Sequence, residues 1–172
     1  MAGNESKAFT DTPQFKVMRL VMSAATPVIR WSLRRGFGGP MANNLLLLRF
    51  RGRRSGTWRT TPVGYAREAD VVVIVTSPTY TWWRNILDGA DVDLRLDGAW
   101  RQGRARIVGP DDPAYDETVA LLVRLRGPRM LRGFGVAVTD TGVVAPADRA
   151  LGAERAHIVR VELGGSAPDT RA

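Results

Sequence analysis

Val71-Val72-Val73-Ile74-Val75 is a run of five β-branched residues, and it narrows the fold more than any other stretch of the chain. Branching at Cβ restricts a side chain in a helix and suits the pleated surface of a sheet, so Asp70 to Thr76 reads as a strand. The neighbouring segments follow the same pattern. Leu45 to Phe50 is short and apolar and ends in the turn Arg51-Gly52-Arg53-Arg54-Ser55-Gly56, which predicts a buried strand. Trp58 to Tyr65 is a second, with Pro62 demoting it to an edge or bulge because proline has no N–H for a ladder. Val92 to Leu96 and Ala99 to Val108 flank Asp97-Gly98, a dipeptide suited to tight hairpins. His157 to Leu163 supplies a last strand. About six strands in hairpin-like order, mostly antiparallel and with helices at the margins, predict an α+β, mainly β chain built as a small barrel rather than a parallel sheet.

The helical segments are fewer. Gln14 to Arg35 reads as a helix interrupted at Pro27. Lys16, Arg19, Arg30 and Arg34 share one face of it, and Phe15, Met18, Met22 and Ile29 favour another. Thr81 to Leu87 is a short helix ending before Gly89. Asp112-Pro113 opens a further helix, with a capping carboxylate and proline at the first helical position, and Gly127-Pro128 ends it after Arg126. Residues 129–155 are rich in Gly and Ala and show no clear period.

Charge and reactive groups narrow the function. The chain of 172 residues suits one domain and carries a formal charge of +8. Residues 1–60 hold 11 Lys/Arg against only Glu5 and Asp11, whereas the remainder is near neutral. Such asymmetry points to an anionic partner. Nucleic acid is disfavoured, because the charge is confined to the front third and no nucleic-acid motif accompanies it. There is no cysteine and one histidine, His157, so thiolate chemistry and a multi-histidine metal site are excluded and no metal is expected. An enzyme of this composition needs a cofactor to carry its chemistry.

Two constellations stand out. In Gly52-Arg53-Arg54-Ser55-Gly56 the glycines let the backbone curl around an anion, while Arg53, Arg54 and Arg59 offer forked donors to phosphate and Ser55 a hydroxyl. By themselves these residues favour a solvated basic hairpin, since many hairpins carry basic turns. The second is Ser77, directly after the β-branched strand, followed by Pro78, Trp82, Trp83 and Asn85. This group either walls a planar ring or caps one end of the barrel. His157 reads as structural.

Taken together, Leu45–Val108 resembles the deazaflavin-dependent nitroreductase family, split β-barrel proteins that bind coenzyme F420. The similarity lies in the apolar strand, the turn Gly52–Gly56, Arg59 and Pro62, the Val-rich strand ending in Ser77, and Trp82, Trp83 and Asn85. It implies that Arg54, Ser55 and Arg59 hold the cofactor's phosphate and acidic tail, with Arg53 and Gly56 in the same turn. It implies further that Pro62, Val75, Ser77, Trp82 and Asn85 line or anchor the deazaflavin ring, Ser77 being the hydroxyl nearest the reacting face. The expected activity is hydride transfer from reduced F420 to a small hydrophobic acceptor such as a quinone or enone. Alternatives are an FMN oxidoreductase on the same barrel and a non-catalytic F420 carrier.

The chain departs from the nitroimidazole-activating pattern. Gly64 stands where a tyrosine is expected, with Tyr65 one residue on, and Pro78 replaces a basic residue. A tyrosine-rich segment is replaced by Arg129 to Arg155, so nitro reduction is not carried over. The expected organisation is a lead-in and basic amphipathic helix over 1–40, the barrel over 41–165 and a disordered tail over 166–172. No secretory signal or membrane-spanning run is visible, so a cytoplasmic protein is expected. Residues 14–35 either attach it to an anionic inner-membrane surface or pack on the barrel. A homodimer and a monomer both stay open.

Overall fold

The computed structural model describes residues 45–166. The expected helix over Gln14–Arg35 and the tail beyond 166 lie outside the described residues. Seven strands form one antiparallel sheet: β1 (Leu45–Arg51), β2 (Trp58–Gly64), β3 (Ala66–Glu68), β4 (Val71–Thr76), β5 (Ala90–Leu96), β6 (Ala99–Val108) and β7 (His157–Ser166). Their spatial order is β2-β1-β5-β6-β7-β4-β3. The sheet curls until its first strand, β2, reaches β4 near the far edge, giving a split β-barrel. Pro62 sits on the edge strand, opposite Leu47, where its missing N–H costs the ladder nothing.

Strand alternation divides the core in two. Val72 and Ile74 of β4 join Leu46, Leu48, Phe50, Leu94 and Val159 in the cluster inside the curl. Val71, Val73 and Val75 point the other way, to a cluster with Val119, Leu122 and Leu131. β4 is therefore covered on both faces, which explains a run of β-branched residues without a polar break. Asp97 (φ 50°) and Gly98 (φ 80°) both take the left-handed conformation that a type I′ hairpin demands. At the β6–β7 irregularity a β-carbon on Gly103 would stand 2.7 Å from Val161 Cγ1 and 2.9 Å from the Glu162 carbonyl. Only glycine lets these two strands close here.

Three helices cover the outer cluster: α1 (Tyr115–Arg126), α2 (Pro128–Gly133) and α3 (Pro146–Arg155). Tyr115, Thr118, Val119 and Leu122 form the buried stripe of α1. Asp112 does not cap the helix as expected: its Oδ1 accepts from the Ala114 amide at 2.8 Å within the preceding turn, and α1 begins at Tyr115 with Ala114 at its N-cap and no side-chain cap. Arg160, buried on β7, donates to Thr118 Oγ1 at 3.1 Å and Glu117 Oε1 at 3.2 Å, tying α1 to the sheet. Three further sequence expectations need correction. The Thr81–Leu87 helix shrinks to one 3-10 turn, Trp82–Asn85. Residues 129–155 hold α2 and α3, each started by a proline in its first turn. The short strand β3, absent from the sequence reading, raises the count to seven.

Candidate cofactor cleft

The β1–β2 connection is a closed loop. The Gly52 amide donates to Thr57 O at 2.8 Å and the Gly56 amide to Gly52 O at 2.8 Å, with Gly56 in the left-handed region at φ +63°. Ser55 Oγ and Thr57 Oγ1 lie 2.7 Å apart across its mouth. The loop is fastened to the 3-10 turn by Asn85, whose Oδ1 accepts from the Arg53 amide at 2.8 Å. The other end of the same amide, Nδ2, donates to Trp82 O at 2.8 Å. Trp82 packs on Phe50 with ring centroids 6.3 Å apart.

Between loop and turn opens a cleft of about 750 Å³. That is room for a cofactor-sized ligand. Phe50 and Trp82 give it an apolar wall, Thr60, Thr61 and Thr81 hydroxyls, and Arg53, Arg54, Arg59 and Arg84 its charge. Among the described residues no carboxylate lines it. Elsewhere eight arginines are ion-paired: Arg49 with Asp93, Arg67 with Asp97, Arg104 with Asp91, Arg106 with Asp112, Arg124 with Glu68, Arg132 with Asp140, Arg149 with Asp116 and Arg160 with Glu117. The cleft gathers four guanidinium groups whose mutual repulsion an anion would relieve. Gly52 forms its floor. A β-carbon there would meet Ser55 Oγ at 2.7 Å and Arg59 Nε at 3.3 Å, so donors from both ends of the turn converge over a residue with no side chain.

The structure brings Arg53, Arg54, Ser55, Arg59, Trp82 and Asn85 together, as the sequence pattern implied. Asn85 serves the loop, since both ends of its amide are spent on backbone groups. Four implied residues do not line the cleft. Gly56 closes the turn behind it. Pro62 lies one residue beyond Thr61, the last β2 residue of the lining. Val75 packs toward the helical cluster. Ser77 is buried, and its hydroxyl bonds Thr79 Oγ1 at 2.9 Å and accepts from the Thr79 amide at 3.3 Å, shaping the β4 exit. Phe50, Trp58, Thr60, Thr61, Thr81 and Arg84 were missed. For Phe50 and Thr61 the signal was present, because the register pairs Phe50 with Arg59 and alternation puts Thr61 on the same face.

A second cavity, of about 130 Å³, lies between β6, β7 and the helices, lined by Ile107, Val136, Ile158, Tyr115 and His157 among others. It is apolar, carries no charge cluster and is too small for a nucleotide-like group. His157 packs on Trp83 with centroids 4.0 Å apart, and burial holds its pKa below the ordinary value. Burial likewise raises the Tyr115 phenol, opposed by the nearby Arg149. Among the described residues no group of acidic or histidine side chains is placed to hold a metal, and no helix is long and apolar enough to cross a membrane.

No curated protein matches the sequence. Among solved structures, the chain is similar to a heme storage protein from Vibrio cholerae (12% identity, 81% of this chain and 90% of that one, TM-score 0.46). It is also similar to an FAD- and heme-binding protein from Mycobacterium smegmatis (17%, 74% and 69%, 0.39) and to an F420 reductase (17%, 72% and 89%, 0.39). The family model for F420H2-dependent quinone reductase matches residues 30–126, a span that contains the Arg-rich turn and the Trp82-Trp83 pair. The chain belongs to the F420H2-dependent quinone reductase family and is an oxidoreductase whose cofactor is coenzyme F420.

Proposed function

We propose that the cleft holds the phosphate and acidic tail of F420 on Arg53, Arg54, Arg59 and Ser55, with the ring side toward Phe50 and Trp82, and that the protein reduces a small hydrophobic acceptor such as a quinone or enone. The observation that carries this reading is a cleft lined by four arginines and, among the described residues, no carboxylate. The residues fit the group. A glycine floor admits an anion to within reach of two donors, and the volume suits a nucleotide-like ligand.

Bound F420H2 supplies the hydride. The chain's own contribution is to bind, orient and exclude water. The arginine forks fix the anionic end, each hydrogen bond to a charged group being worth about 1.5–3 kcal/mol. Asn85 keeps the loop and the 3-10 turn at one separation, and Phe50 with Trp82 presents an apolar surface that suits a neutral acceptor. Positioning of this kind converts an encounter of two molecules into a reaction within one site.

The test is a calorimetric titration with F420 and, separately, FMN, followed by oxidation of F420H2 with a soluble quinone. Arg54→Ala and Arg59→Ala should each weaken F420 binding about tenfold or more while leaving the fold intact. Normal binding by both variants would reduce the turn to a solvated hairpin. Tighter FMN binding would reverse the selectivity, and binding without turnover would make the protein a carrier.

A further inference from the structure

The smaller cavity, of about 130 Å³, shares no lining residue with the cofactor cleft. Val108, Val136 and Ile158 give it a buried apolar floor, and Gly109 and His157 stand half-buried at its rim. Its helical wall is α3, which presents Gly152 to it. Gly152 has no positive φ that would call for a glycine. A β-carbon there would stand 3.3 Å from Val136 Cγ1 and 4.0 Å from Tyr115 Oη, so a larger side chain would take up the space between helix and sheet. Glycine inside a helix lowers its stability, and what it leaves here is room.

Tyr115 brings a polar group to this apolar space. It is 3% exposed, and its hydroxyl makes no hydrogen bond among the described residues. Buried hydroxyls are paired in the great majority of cases, and the space within reach of this one is the cavity. Water suits that space poorly, because a held water needs about two to four polar partners and the walls around the phenol are aliphatic. An aliphatic cavity of about 150 Å³ takes benzene. We propose that this cavity is a second ligand site, which takes a molecule of one-ring size with a single oxygen, a simple phenol. The ring lies against Val136 and Ile158, and the oxygen pairs with Tyr115 Oη. The inference is independent of where F420 sits.

The experiment titrates the full chain with phenol and with toluene, reading calorimetric heat and melting temperature, with and without F420. Phenol should bind one site per chain and raise Tm, equally with F420 present, and toluene should bind the same site more weakly. Tyr115→Phe removes one oxygen and keeps the ring. It should weaken phenol about two- to tenfold, the worth of one neutral hydrogen bond, and leave toluene unchanged. Gly152→Val should fill the space and lose both ligands while melting no lower than the parent; if it folds poorly, Tyr115→Phe decides alone. The proposal is overturned by a lack of saturable phenol binding, by parent-like phenol affinity or an equal loss of both ligands in Tyr115→Phe, by undiminished binding in a folded Gly152→Val, or by displacement of phenol with F420. Failure of F420 to bind the cleft would leave this site untouched, so the two readings fall separately.

Discussion

Gly52→Ala isolates the floor of the cleft. The added methyl carbon would stand 2.7 Å from Ser55 Oγ, 3.3 Å from Arg59 Nε and 3.5 Å from Thr57 O. Gly52 does not have a positive φ, so alanine meets no backbone strain. The two closest atoms are ends of side chains and give way, at the cost of the Ser55–Thr57 hydroxyl contact and of the arginine's position. Overpacking costs about 1–3 kcal/mol, and a site where only side-chain ends must give way falls at the low end, so Tm should drop by only about 2–4 °C. Binding suffers more. Displacing one or both donors removes about 1.5–3 kcal/mol each, a weakening of about tenfold to several hundredfold. Gly56→Ala is the matched control: its φ of +63° strains any side chain, yet nothing lies within 4 Å of the new carbon. That variant should lose about 1–2 kcal/mol of stability and keep its affinity. Circular-dichroism melts and F420 titrations of both variants decide the matter. Parent-like affinity in Gly52→Ala would refute the cradle.

Three further outcomes follow from the packing. Burial lowers the His157 pKa, so as pH falls through about 6.5 the unfolded chain takes up a proton that the folded protein resists, and stability declines; His157→Phe should flatten that decline in melts between about pH 7 and pH 5. Arg49 and Asp93 form a 2.7 Å ion pair in which the Asp93 side chain is 7% exposed and Arg49 25%. Arg49→Leu, which strands the more buried charge, should cost about 3 kcal/mol in urea unfolding and Asp93→Leu clearly less, equal costs arguing against burial as the cause. For the basic front segment, a chain starting at Gly39 should lose salt-sensitive binding to anionic vesicles, at about 1 kcal/mol per basic residue, without a change in Tm; a fall in Tm without vesicle binding would make that segment part of the fold instead.

Much of the barrel was legible because strand signals are local. The β-branched run at Val71–Val75, the Asp97-Gly98 hairpin and the position of Pro62 depend on Cβ branching, positive φ and a missing N–H, which act within a few residues. The segment 129–155 was illegible for the converse reason. Its helices are short, α2 packing on α1 and α3 on β7, so tertiary contact rather than periodicity sustains them.

The same division runs through the site. The sequence by itself determined the cationic loop, since glycines beside three arginines specify a curled backbone and a positive surface wherever the loop is placed. It also determined, by alternation, that Arg59 and Thr61 share one face of their strand. Only the tertiary structure decided that Val75 packs toward the helical cluster, because the curl of the sheet chooses which face of β4 looks inward. And only the closure of that curl set Arg84 across from the loop, with Asn85 bridging residues 32 apart in the chain. Charge is written in composition, but the pairing or isolation of each charge is a property of what folding brings beside it.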